Sequence, residues 1–140
     1  MQPALSVIIP AHNEERFIRR CLESIAAARR FAGITVETIV VLNRCEDRTE
    51  LIARSYGARC IGEDRRSLAA VRNTGVRASV ADVVVTIDAD SWMSPKAFTE
   101  VLHRMKSGRY IGGGCLIWPE RWSVGIAFSC LAVLPYLIRP

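Results

Sequence analysis

The chain has 140 residues, of which 50% are hydrophobic and 24% charged, and its formal net charge is +5. This size and composition fit one globular domain with a buried core, and they exclude a disordered or low-complexity protein. The positive charge suits an anionic ligand, nucleic acid or an acidic membrane surface, without choosing among them.

Strands and helices alternate through the first half of the chain. The predicted elements are a strand at Leu5–Pro10, a helix at residues 14–30 with Asn13 as its N-cap, a strand at Ile34–Leu42, a helix opened by a capping box of Asp47 and Glu50 and ended by Gly57, and a strand at Ala58–Ile61. This order predicts an α/β fold with a mainly parallel sheet and helices on both faces.

The second half continues the alternation. A helix from Ser67 to Ser79 should direct Leu68, Val71, Gly75 and Ala78 inward. Since glycine costs about 1 kcal/mol against alanine inside a helix, we expect close packing at Gly75. The remaining predicted elements are a strand at 83–87 covered on both faces, a helix opened by Ser94–Pro95 and ended at Gly108, a strand at Tyr110–Trp118 interrupted by three glycines, and an apolar helical segment at 123–138.

Two carboxylates follow the apolar run at 83–87. Asp88 and Asp90 are two residues apart, so in extended chain they project to one side about 6.6 Å apart. Two ionised carboxylates at that distance repel by about 2–3 kcal/mol at an effective dielectric constant near 20. A hard divalent cation, Mg2+ or Mn2+, would remove that cost. The alternative is that both aspartates only begin the loop to the next helix.

Four segments together resemble the family 2 glycosyltransferases of the GT-A fold. They are residues 7–15 (VIIPAHNEE), 40–49 (VVLNRCEDRT), 72–75 (RNTG) and 87–90 (IDAD). The resemblance covers residues 5–118 and implies a Rossmann-like GT-A nucleotide-diphospho-sugar transferase fold. It also implies sugar transfer from a nucleotide-diphospho-sugar, with a UDP-sugar as first choice, to an acceptor that stays unknown.

The resemblance also assigns residues to the donor site. Those implied to bind the donor are Pro10, Ala11, His12, Glu14, Asn43, Arg72 and Asp88. Arg72 is expected near the diphosphate, and Asn43 near the base or ribose. The metal, Mg2+ or Mn2+, is expected on Asp90, with Asp88 nearer the ribose.

Relatives usually continue into an acceptor half that contains a catalytic carboxylate, whereas this chain stops at Pro140. No residue is therefore named as general base, and we expect a truncated fold. Residues 1–118 would form the nucleotide-sugar-binding domain, and residues 119–140 an apolar helical segment that starts an incomplete acceptor half.

Two other function classes compete. The chain is alternatively a non-catalytic module that binds nucleoside diphosphates, or that dimerises through Trp118, Trp122 and the apolar tail. A dinucleotide-binding oxidoreductase is disfavoured because Pro-Ala-His-Asn, without glycines, follows the first strand. No nucleic acid partner is expected, since only charge favours one, and unpaired apolar surface favours a homodimer.

Cysteine usage and the apolar runs indicate the compartment. The five cysteines include no C-x-x-C pair, and the N-terminal apolar run, Ala4 to Ile9, is too short for a signal peptide. The apolar run at 123–138 has about sixteen residues, fewer than the roughly twenty residues that a membrane-spanning helix needs. We expect reduced thiols and a cytoplasmic location, with peripheral contact to the inner membrane face left open.

Overall fold

Four parallel strands form one sheet in the order β3-β2-β1-β4 in the computed structural model, which describes residues 2–115. The elements are β1 (Leu5–Ala11), α1 (Ile18–Ala32), β2 (Val36–Leu42), α2 (Thr49–Ser55), β3 (Arg59–Gly62), α3 (Leu68–Ala78), β4 (Val84–Thr86) and α4 (Ala97–Lys106). The predicted alternation and parallel sheet are confirmed.

The strand order directs attention to one end of the sheet. The chain adds β2 and β3 on one side of β1 and then returns to add β4 on the other. Open α/β sheets bind their ligands at such a switch point, outside the carboxyl ends of the strands. The loops that follow β1 and β4 are therefore where a ligand is expected.

Helices cover both faces of the sheet. Side chains alternate along β1, so that Val7 and Ile9 pack in the cluster formed with α1, α2 and α4, whereas Ile8 packs in the cluster formed with α3. All three are fully buried. The β-branched run of β1 is therefore explained by burial on both faces of a central strand.

The contact of α3 with the sheet is close at Gly75. A Cβ atom added there would lie 2.2 Å from Cγ2 of Ile8 and 3.0 Å from Cγ2 of Val41. The close packing predicted at this glycine is confirmed. Leu68 was expected on the inner side but is 54% exposed, because it is the first residue of α3 and lies at the rim of the sheet.

Helix starts were predicted less well than helix existence. Asn13 is not the N-cap of α1, since α1 begins at Ile18 after Phe17 and Asn13 has a left-handed φ of 55°. The capping box is wrong in both halves, because Arg48 precedes α2 without a side-chain cap and Glu50 pairs with Arg54. Helix α4 begins at Ala97, later than Ser94–Pro95 predicted.

Strand β4 has three residues and is half-buried or exposed, unlike the fully covered strand expected. Within residues 2–115 it is an edge strand of the sheet. Residues 110–115 are not a strand, and 116–118 and the segment 119–140 lie outside the described residues. The division into two domains stays a prediction. Within the described part, Cys21, Cys45, Cys60 and Cys115 are free, and no helix is long and apolar enough to cross a membrane.

Candidate functional site

A cleft of about 400 Å³ opens at the carboxyl ends of β1, β2 and β4. Its lining consists of Pro10, Ala11, His12, Glu14, Asn43, Arg44, Arg66, Ser67, Leu68, Val71, Asp88, Ala89 and Asp90. Every residue that the sequence assigned to the donor or metal lines this cleft, apart from Arg72. The two aspartates share it with Pro10 and Asn43.

The loops after β1 and β2 are bound to each other by hydrogen bonds between backbone and side chains. The N–H of Glu14 donates to Oγ1 of Thr49 at 2.8 Å, and that of Glu15 to Oδ2 of Asp47 at 2.9 Å. In return, the N–H of Glu46 donates to Oδ1 of Asn13 at 2.8 Å. Asp47 and Asn13, expected to cap helices, instead hold the β1 loop, and with it Glu14, against the β2 loop.

The surroundings of Asp47 favour the ionised form of its carboxyl group. Burial would raise the pKa of its carboxyl, but hydrogen bonds from the Thr49 side chain and from the N–H groups of Glu15 and Thr49 lower the pKa below its ordinary value. Because hydrogen bonds to a carboxylate favour its charged form, the connection between the loops is kept at neutral pH.

Asn43 connects the β2 loop to the chain after β3. Its Nδ2 donates to the carbonyl oxygens of Glu63 and Arg65, the latter at 2.9 Å. Its own carbonyl oxygen faces Nδ1 of His12 at 2.5 Å. A carbonyl only accepts, so Nδ1 of His12 carries a hydrogen in this contact. Both amide hydrogens of Asn43 are used within the protein, so a ligand could bind only to Oδ1, which also accepts from Arg44.

Glu63 holds the third loop of the cleft. Its carboxylate accepts from Arg65 at 2.6 Å and from the hydroxyl of Thr74 in α3 at 2.7 Å. These bonds, with that from the backbone N–H of Arg65, hold the pKa of Glu63 far below its ordinary range. The carboxylate thus joins α3 to the loop that carries Arg66.

This depressed pKa predicts an acid-dependent stability. The unfolded state takes up a proton at Glu63 below about pH 4.3 while the folded state stays ionised, so the stabilisation is complete above that pH and declines as the pH falls towards the folded pKa. We expect Glu63→Gln to lower the free energy of unfolding at neutral pH. At acid pH, the difference in free energy of unfolding between Glu63→Gln and wild type should become smaller. Urea unfolding at both pH values measures this, and a gap that stays constant with pH would contradict it.

Two arginines of the cleft escaped sequence analysis. Arg44 lies beside Asn43 with a left-handed φ of 52°, and its Nη2 donates to Oδ1 of Asn43 at 3.2 Å. A non-glycine residue in this conformation costs roughly 1–2 kcal/mol. Arg66 reaches the cleft from the loop before α3. The signal available for both was their position in the loops that follow predicted parallel strands, where ligands bind.

Negative charge gathers on the other side of the cleft. Asp88 and Asp90 are both exposed to solvent. Burial raises the pKa of the Glu14 carboxyl, and the negative charges of Asp90, Asp47 and Asp88 raise it further. The charge of His12 lowers it. In residues 2–115 no three His, Cys, Asp or Glu side chains are grouped so as to hold a metal ion. Two accessible carboxylates nevertheless fit Mg2+ or Mn2+, since such ions are usually shared with substrate phosphates and water.

Side chains of α1 form hydrogen bonds with the backbone of the segment that carries the two aspartates. Burial raises the pKa of the Cys21 thiol to about 12, with Asp90 and Asp88 raising it further, so the thiol stays protonated. It donates to the carbonyl oxygen of Asp88 at 3.7 Å. Ser24, one turn along, accepts from the N–H of Met93 at 3.1 Å.

Arg72 contacts Asp88 directly. Its Nη2 lies 2.7 Å from Oδ1 of Asp88, and the two side chains are 38% and 55% exposed. The sequence placed both residues at the donor but did not predict this ion pair. The expected contact of Arg72 with a diphosphate stays a prediction.

Comparison with known proteins shows the same fold in transferases. S. aureus TarS 1-349 superimposes with a TM-score of 0.66 at 18% identity, over 84% of this chain and 39% of TarS. Glucosyl-3-phosphoglycerate synthase from Mycobacterium tuberculosis, crystallised with Mn2+, UDP and glucosyl-3-phosphoglycerate, gives a TM-score of 0.60 at 25% identity, over 76% of this chain and 41% of that protein. The expected GT-A fold is confirmed.

Sequence comparison identifies the family. The uncharacterized glycosyltransferase EpsJ of Bacillus subtilis (strain 168) is 28% identical over 120 residues, which cover 82% of this chain and 34% of EpsJ. The match covers 30% of the putative glycosyltransferase EpsH of the same organism and 34% of EpsJ, so the chain spans about a third of the length of these relatives. The family model for glycosyl transferase family 2 matches residues 6–122, and the chain therefore belongs to that family.

Proposed function

We propose that the cleft binds a nucleotide-diphospho-sugar and that the chain forms the donor side of a glycosyltransferase using Mg2+ or Mn2+. The observation that carries the proposal is the meeting of Asp88 and Asp90 with the β1 and β2 loops in one cleft at the switch point of the sheet. The synthase crystallised with Mn2+ and UDP supports this choice of ligands.

The residues divide the work by their chemistry. Pro10, Ala11, His12 and Asn43 would hold the base and ribose, with Oδ1 of Asn43 as an acceptor. Asp90 and Asp88 would hold the cation, which when bound supplies Lewis-acid stabilisation of the leaving diphosphate. Arg72 would add a fixed positive charge near the same group, and Glu14 would border the ribose side.

Titration calorimetry of the wild-type protein tests the proposal. We expect UDP to bind more tightly with Mn2+ than without it, because the cation neutralises two carboxylates that otherwise repel the diphosphate. A panel of UDP, GDP and ADP, each with and without Mn2+, identifies the base. Equal affinity with and without Mn2+ for all three would contradict the metal-assisted site.

A sugar-transfer assay separates the enzyme from the non-catalytic module. Binding of the nucleotide without turnover would favour the module. The cytoplasmic location, peripheral membrane contact, homodimer and absence of a nucleic acid partner stay predictions from the sequence.

A further inference from the structure

Arg72 and Asp88 form a contact between two elements that are distant in sequence. Arg72 lies in the second turn of α3, and Asp88 follows β4. Asp88 lines the cleft, whereas Arg72 does not. One carboxylate oxygen of the acidic pair is therefore already bound by a guanidinium of the protein, at 2.7 Å.

This contact leaves the arginine incompletely satisfied. The Nε of Arg72 is buried and has no hydrogen-bond partner among residues 2–115. A guanidinium has five N–H donors in a planar arrangement that matches carboxylate and phosphate oxygens in pairs. The one-atom contact with Asp88 uses this arrangement poorly, so an anion with more oxygens would be a better partner.

The ion pair also changes the charge that an entering cation meets. Asp88 and Asp90 alone would present two negative charges, but Arg72 cancels one of them. A guanidinium and a divalent cation compete for the same carboxylate oxygen, and they repel each other. Binding of a cation by itself is therefore disfavoured.

We propose that Arg72 is the internal counter-ion of Asp88 in the ligand-free protein, and that a nucleoside diphosphate releases Asp88 by offering the guanidinium a phosphate partner. The inference rests on the proposed function, because the diphosphate must reach this cleft. Its consequence is that cation and nucleoside diphosphate bind cooperatively. By linkage, each raises the affinity of the other by the same factor.

Electron paramagnetic resonance of free Mn2+ measures the cation affinity of the protein without nucleotide. We expect Arg72→Gln to bind Mn2+ about two- to fivefold more tightly than wild type, a modest change because the pair is partly exposed. We also expect UDP to raise the Mn2+ affinity of wild type more than that of Arg72→Gln.

Two controls separate the ion pair from general charge effects. Arg77→Gln removes the same charge from the same helix, and Arg77 contacts Thr74 instead of Asp88, so it should behave as wild type. In an Asp88→Asn background, Arg72→Gln should lose most of its effect. Far-UV circular dichroism checks that the variants fold. If Arg72→Gln does not fold, Arg72→Lys replaces it in the test, because it keeps the charge but loses the planar donor group. We then expect a smaller rise in Mn2+ affinity.

The outcomes distinguish the two claims. If wild type binds UDP with Mn2+ but the Arg72 variants bind Mn2+ alone no more tightly, the counter-ion proposal is overturned and the proposed function stands. An equal rise in Arg77→Gln overturns it as well. If wild type does not bind UDP with Mn2+, both proposals fail.

Discussion

Replacing Gly75 with alanine is expected to destabilise the protein by about 2–3 kcal/mol, the upper part of the range for overpacking a core. The new Cβ would stand 2.2 Å from Cγ2 of Ile8, well inside van der Waals contact. Ile8 is fully buried in the central strand and is β-branched, so its methyl group has no free space to enter. The gain of about 1 kcal/mol in helix propensity would be outweighed.

Urea unfolding of Gly75→Ala measures this loss, and Gly62→Ala is the matched control. A Cβ at Gly62 meets nothing within 4 Å, so that variant should stay within about 0.5 kcal/mol of wild type. Because α3 also carries Arg72 and Val71, relief of the clash by movement of α3 should weaken nucleotide binding too. Equal stability of the two alanine variants would show that α3 does not approach the sheet this closely.

Local patterns in the sequence were sufficient to predict the fold. Runs of β-branched residues mark β1 and β2, because both strands are covered on two faces, and the apolar spacing of α1 and α4 marks their buried sides. These signals lie within a few residues of one another. Strand β4 was predicted too long, because its apolar run continues past the short ladder that it forms with β1.

Contacts between loops had no comparable local signal. Asn13 precedes a helical pattern and Asp47 precedes another, so both resembled N-caps. Each instead accepts a backbone hydrogen bond from a residue more than thirty positions away, Glu46 and Glu15 respectively. The polar residue types were recognised, but their partners depend on how β1 and β2 pair.

In the candidate site as well, the residues were predicted from local patterns but their contacts were not. The strand-end rule and the family resemblance were enough to gather Pro10, Asn43 and the two aspartates. Arg44 was missed because its position after a strand does not by itself predict that its side chain enters the cleft. The Arg72–Asp88 pair was missed because it joins α3 to the loop after β4. Sequence reasoning thus predicted which residues meet better than it predicted which of them bind each other.

Replacing Asp90 with alanine is expected to remove most of the gain in UDP affinity that Mn2+ provides, a loss of about 10–100-fold. Mutations of outer-shell partners alone reach this range, and a direct ligand should cost at least as much. The loss corresponds to about 1.4–2.7 kcal/mol of binding free energy. Stability should change little, because Asp90 is exposed and its one hydrogen bond within the described residues is with the Ser91 hydroxyl at 3.3 Å.

The same variant should behave in the opposite way without metal. Asp90 then repels the diphosphate, so its removal should strengthen metal-free UDP binding slightly. Asp82→Ala is the matched control, since Asp82 is exposed and precedes β4, at the end of the strand away from the cleft. Calorimetry with and without Mn2+ would therefore give changes of opposite sign for Asp90→Ala and no change for Asp82→Ala. A loss of equal size in both conditions would mean that Asp90 supports the cleft without binding the cation, because partial unfolding weakens binding whether or not metal is present.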